Sequence, residues 1–316
     1  MYYFLEILAS VAFAMQFMVM KFYQKHTETN LASSLVFAVV YSLVGAVPFF
    51  ALNGFTLHAT PFTLLVALSI GIISVLSTLC SIRIVYYGKL SIYSLFLMLG
   101  SMVLPFFFGV LFLGEPVNVV KGVAVVLMGG SLVLSSLDTN DKGERMKAGF
   151  ILLCAAAFTL NGLSSVAQSV HSNASVWGQT TVDDLFGPTV GLYDFTIWVR
   201  LMTVGCSVVS FPLVLLHGKD RRRAELASVG TIFRPKPLLG AAGYALANLA
   251  GFSLQMISVA HVPTSVLFPM STGVTIIAST LLARVMYKEK ITRPVVAGLV
   301  MTAIAAAVFI LGDMLL

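Results

Sequence analysis

Charge is what this sequence has least of. Of 316 residues, 19 are Lys or Arg and 13 are Asp or Glu, 10% in all. Soluble domains carry about 25% charged residues, so a soluble enzyme is excluded. Disorder is excluded as well, because it needs low hydrophobicity together with high net charge. The three cysteines, Cys80, Cys154 and Cys206, all fall within apolar runs and have no disulfide or metal-ligand spacing. No GxxxxGK[ST] loop is present, which argues against primary ATP-driven pumping. HExxH patterns, Cys/His clusters and nucleophile–base constellations are missing too, so the sequence points to no enzyme, cofactor or metal site. Met1–Glu6 lacks the positive leader of a cleavable signal.

Apolar residues fill the space, at 58% of the chain and a mean hydropathy of +0.96. A membrane helix needs about 20 mostly apolar residues. Ten such segments are read at 2–24, 31–52, 62–82, 90–113, 117–137, 148–171, 192–216, 237–260, 264–287 and 291–314. The expected fold is an all-α polytopic membrane protein with ten transmembrane helices. The longest connections are 172–191 and 217–236, too short for a soluble domain.

Basic residues gather in alternate loops. Seventeen of nineteen lie between helices 1–2, 3–4, 5–6, 7–8 and 9–10, leaving only Lys121 and Arg200 elsewhere. Short cytoplasmic loops are enriched in Lys and Arg. Both termini are therefore expected on the non-cytoplasmic side, and the expected host membrane is the plasma or inner membrane. The run 219–223 reads as an orientation signal that meets anionic lipid, not as a nucleic-acid site.

The halves repeat each other. Pro48 through Gly54 matches Pro212 through Gly218, Ala12–Gln16 matches Ala157–Asn161, and Glu115 matches Glu289. Loops 1–2 and 3–4 are basic while loops 6–7 and 8–9 hold no Lys or Arg, the pattern of an inverted repeat. The expectation is a first five-helix repeat over 1–137, a cytoplasmic linker at 138–147 and a second repeat over 148–316. The carrying residues Leu111-Phe112-Leu113-Gly114-Glu115, then Gly122, Gly129 and Gly130, and in the second copy Met286-Tyr287-Lys288-Glu289 and Gly298, resemble the drug/metabolite transporter superfamily. The resemblance is to its ten-helix, EamA-type form, and it implies alternating-access transport of a small molecule. Such members are described with both termini cytoplasmic, whereas the loop charges here predict the reverse.

Polar residues inside the spans form stripes. Tyr244, Asn248, Gly251 and Gln255 share one face of helix 8, at spacings i, i+4, i+7 and i+11. Helix 6 offers Asn161, Ser165 and Gln168, helix 9 Phe268, Thr272, Thr275 and Ser279, and helix 4 Ser94, Met98, Ser101 and Pro105. Gln16 and Asn161 occupy matched places in helices 1 and 6. Two readings stand for these stripes: a polar cavity wall, or close helix packing with amides bonding across helices. The candidate substrate-binding set is Gln16, Ser94, Asn161, Gln168, Arg200, Tyr244, Asn248, Gln255 and Thr272. Arg200 could hold a substrate carboxylate or phosphate, snorkel to headgroups, or pair with an acid, for which Glu6, read as shallow, is the better candidate. Glu115 and Glu289 read as structural, an acid suiting the positive end of the following helix. Glycines and alanines of helices 5 and 10 suggest a packing seam between halves or between the protomers of a homodimer. The function expected is secondary transport of a small polar metabolite, amino-acid-like or otherwise neutral or zwitterionic. An anionic or nucleotide-sugar-like solute, a channel, or a non-transporting membrane protein are the alternatives.

Overall fold

A computed structural model describes residues 1–28, 30–85, 90–136, 148–173, 187–216, 218–288 and 292–314. Among these residues all regular structure is helical. The helices are α1 (Tyr2–His26), α2 (Leu31–Leu52), α3 (Pro61–Val85), α4 (Leu90–Phe112), α5 (Val119–Ser136), α6 (Ala148–Ser172), α7 (Leu192–Ser210), α8 (Lys219–Ile232), α9 (Pro235–Val259), α10 (Thr264–Tyr287) and α11 (Arg293–Met314). Eight helices among the described residues are long and apolar enough to cross a membrane, and two shorter apolar stretches are Phe96–Phe112 and Val119–Ser131. Large apolar side chains such as Leu111, Val126, Leu152 and Val209 stand 70–79% exposed. A soluble protein rarely tolerates so much outward apolar surface, so the architecture is compatible with a polytopic membrane protein.

Local chemistry explains the helix ends. Asn30 opens α2 with a capping box: its Oδ1 accepts from Ser33 N at 2.9 Å, and Ser33 Oγ accepts from Asn30 N at 3.0 Å. Pro61 and Pro235 open α3 and α9, where the missing N–H costs nothing. The single helix expected over 192–216 is instead α7 followed by a 3-10 turn at Phe211–Leu216. Pro212 has no N–H to continue the ladder, which tightens the chain there. The connection 217–236 is another departure, since most of it is α8. That stretch carries good helix formers, Ala224 through Ala227, and its Glu225 is buried and accepts from Ala32 N at 3.3 Å. Two expected features, Glu289 and the linker 138–147, lie outside the described residues.

The chain divides into two compact units, 1–14 with 83–169 and 251–316, and 15–82 with 170–250. Each draws on both sequence halves. In the first unit α5 lies along α11 and α4 along α10. Its core includes Met102, Phe106, Met128, Leu267, Met270 and Phe309. Thr302 Oγ1 donates to Ser131 Oγ at 2.8 Å, and Asn118 Nδ2 to the Gly312 carbonyl at 2.8 Å, tying α11 to α5 and its leading turn. In the second unit α2 lies along α7 and α8. Leu31, Leu35, Val75 and Val214 form one buried group there, and Tyr23, Phe37, Ile232 and Ala241 another.

Candidate functional site

Four of the nine expected residues meet in the second unit. Arg200 of α7 is 7% exposed, and its Nη2 donates to Asn248 Oδ1. Asn248 Nδ2 in turn donates to Gln16 Oε1 at 3.0 Å. The guanidinium carbon sits 5.6 Å from the centre of the Tyr41 ring, within cation–π range. Tyr41 meets Tyr244 edge-on, centroids 5.0 Å apart, and Phe37 packs against both. The helical spacing of Tyr244 and Asn248 puts both on one face of α9, which explains why one stripe supplies both the ring and the amide. A guanidinium is permanently charged and offers five fork-like donors. The guanidinium thus lies beside an aromatic face and a relay of amides. Tyr41 was not read from the sequence, because nothing separates it from the other aromatic residues of the spans.

The remaining candidates belong to the first unit. Gln255 Nε2 donates to Glu6 Oε1 and to Ser271 Oγ, each at 3.3 Å. Glu6 is completely buried. The partners shown for Arg200 are Asn248 and Tyr41, and the amide shown on Glu6 is Gln255. Asn161 Nδ2 donates to the Leu97 carbonyl at 2.7 Å, a hydrogen bond from α6 to α4. Thr272 Oγ1 donates to the Phe268 carbonyl of its own helix at 2.9 Å and lies 3.3 Å from Ser101 Oγ. Gln168 Oε1 is buried without a hydrogen-bond partner among the described residues. The side chain of Ser94 lies outside them.

Three structural clamps complete the picture. Glu115 does bind a helix start, but that of α10 and not of α5: Thr264 N donates to its Oε1 at 2.6 Å and Ser265 N to its Oε2 at 2.7 Å. In the second unit Asp194 Oδ1 accepts from Asn53 Nδ2 at 2.7 Å and from His58 N at 2.8 Å, fixing the 53–58 turn to α7. His171 is buried and stacks on Phe195 at 3.7 Å, with Thr63 Oγ1 3.2 Å from its Nε2. An open cleft of about 590 Å³ in the second unit is lined by Lys25, His26, Glu28, Ser228 and Thr231 among others, and by none of the expected site residues.

No protein-family model matches the chain, and no curated protein does. Chains of solved structures do match, 28 of them. One crystal structure covers 99% of this chain and 97% of its own length, with a TM-score of 0.63 and 15% identity. At that identity the likeness speaks for the fold alone.

Proposed function

We propose that the chain is a secondary transporter of a small polar organic solute, working by alternating access. In this reading ten helices form two inverted five-helix repeats, as in the drug/metabolite transporters the sequence resembles, with both termini on the non-cytoplasmic side. The observation that carries it is the buried Arg200 cluster of the second unit. Buried charge in a span is expensive and tends to mark a substrate path. Arg200 would take a carboxylate, Gln16 and Asn248 would orient polar groups, and the Tyr41 and Tyr244 faces would receive an ammonium group. That combination suits an amino-acid-like zwitterion. The same guanidinium supports a second reading, export of an anionic metabolite.

Purified protein in liposomes, preloaded with unlabelled L-amino acids, should show saturable counterflow of a radiolabelled L-amino-acid mixture. Arg200→Ala and Asn248→Ala should each lower it at least tenfold, the loss of about 1.4 kcal/mol or more of binding. Counterflow by organic phosphates alone would favour the anionic reading. Unsaturable flux would indicate a channel, and wild-type flux in both variants would remove the site.

A further inference from the structure

We propose that Glu6 is the proton-exchange site that couples this transport to a proton gradient, an inference resting on the transporter reading above. Glu6 lies in the first turns of α1 with no exposed surface, so its carboxyl faces protein groups and not the surroundings of the helix. Its Oε1 accepts one long bond, from Gln255 Nε2 at 3.3 Å. Its Oε2, equally buried, has no hydrogen-bond partner among the described residues. A carboxylate is an acceptor with about four lone-pair sites, and the partners shown for this one are neutral: the Gln255 amide and the Ser258 and Ser271 hydroxyls. A proton on Oε2 removes the charge and turns the bare oxygen into a donor.

The surroundings are polar but neutral. From α9 the groups facing the carboxyl are Gln255 and Ser258, and from α10 Ser271. Ser271 Oγ is 3.2 Å from Ser10 Oγ, which donates to the Glu6 carbonyl at 2.8 Å. Thr275 Oγ1 bonds the Ser10 carbonyl at 3.3 Å, joining α10 to α1 one turn further along. The titratable rings on the same stretch of α1 are Tyr2 and Tyr3, and exposed His261 stacks on Tyr2 at 3.9 Å. None of these groups supplies a positive charge in direct contact with Glu6. Purely structural glutamates in this chain look different: Glu115 receives two short backbone N–H bonds. The cycle balances simply. Oε2 takes a proton from water on one side and returns the same proton to water on the other, one per turnover.

Two measurements on the full chain separate this proposal from the reading beneath it. In liposomes, counterflow of the L-amino-acid mixture reads exchange, and accumulation under an imposed pH gradient reads coupling. Wild type should do both, and a sodium gradient should drive nothing. Glu6→Gln should keep counterflow but lose accumulation, and Glu6→Asp should keep both. Accumulation by Glu6→Gln equal to wild type, or accumulation driven by sodium alone, would overturn the proposal. Absence of counterflow in wild type would instead sink the transporter reading. Infrared pH titration in detergent tests the proton site without any substrate. Wild type should show a titrating carboxyl band that Glu6→Gln lacks and Glu6→Asp shifts, whereas identical spectra in all three would overturn the proposal.

Discussion

Replacing Glu115 by alanine should loosen the start of α10 without touching the Arg200 cluster. Pro263 stands at the N-cap of α10 and makes no side-chain cap, while the first N–H groups of any helix lack intrahelical acceptors. Here the Glu115 carboxylate supplies them, through bonds of 2.6 Å and 2.7 Å to Thr264 N and Ser265 N. Both donors belong to buried residues, Thr264 at 2% and Ser265 at 0% exposure. Bonds to a charged acceptor are worth about 1.5–3 kcal/mol each, with about 0.3–1 kcal/mol more from the helix dipole. Glu115 itself is part-exposed, and the two bonds share one acceptor group, so the sum is not realised in full. The expected loss for Glu115→Ala is about 2–4 kcal/mol, and for Glu115→Gln, which keeps one acceptor oxygen, about half of that. Gly109 offers an independent check. A Cβ there would collide with the carboxylate and come within 3.0 Å of Ser265 N, so Gly109→Ala should reproduce much of the effect. Thermal unfolding in detergent, followed by size exclusion of a fluorescent fusion, ranks the variants. Equal melting of wild type and Glu115→Ala would refute the capping role, and so would a Glu115→Gln that melts below Glu115→Ala.

Three further outcomes are expected. A Cβ at Gly162 would stand 2.6 Å from the Gly100 carbonyl and 2.7 Å from Leu104 Cβ. Gly162→Ala should therefore lose about 1–3 kcal/mol to overpacking, against about 1 kcal/mol gained in helix propensity. A raised melting temperature would contradict the close α4–α6 crossing. Asp194→Ala should speed hydrogen exchange at 53–58 about tenfold or more, the loss of about 1–3 kcal/mol of charge-assisted bonding, and unchanged protection would show that the clamp carries no weight. A reporter fused to the C-terminus should sit outside the cytoplasm, and cytoplasmic activity would overturn the orientation read from the loop charges.

Much of the helical layout is legible in the sequence because apolar runs of membrane length leave little alternative. The segments 31–52 and 264–287 coincide with α2 and α10 to the residue. Departures come where length and hydropathy carry no information. Pro212 converts the end of the seventh segment to a 3-10 turn, and the basic run at 219–223 opens a helix whose Glu225 is buried. The site shows the same division. Gln16, Asn248, Gln255 and Arg200 stand out because amides and cations are rare in apolar runs. Their partners do not, since Tyr41 and Ser271 resemble dozens of other residues and are selected only by packing. Glu115 was visible as a helix-start acid, but Thr264 is 149 positions further on, so no local pattern could name its helix.

The hydroxyl stripes bear on how the chain is built. Ser10, Thr196, Thr203, Ser258 and Thr272 each donate to a carbonyl four residues earlier in their own helix. Those helices carry their own satisfaction for these groups from the moment they form, and each can leave the insertion machinery without waiting for a neighbour. Arg200 is in another position. Tyr41 is already synthesised when α7 emerges, but Asn248 lies 48 residues downstream. Until α9 follows, that guanidinium lacks the Asn248 acceptor, so the Arg200–Asn248–Gln16 relay closes only once α9 is made, although two of its three residues are complete by α7.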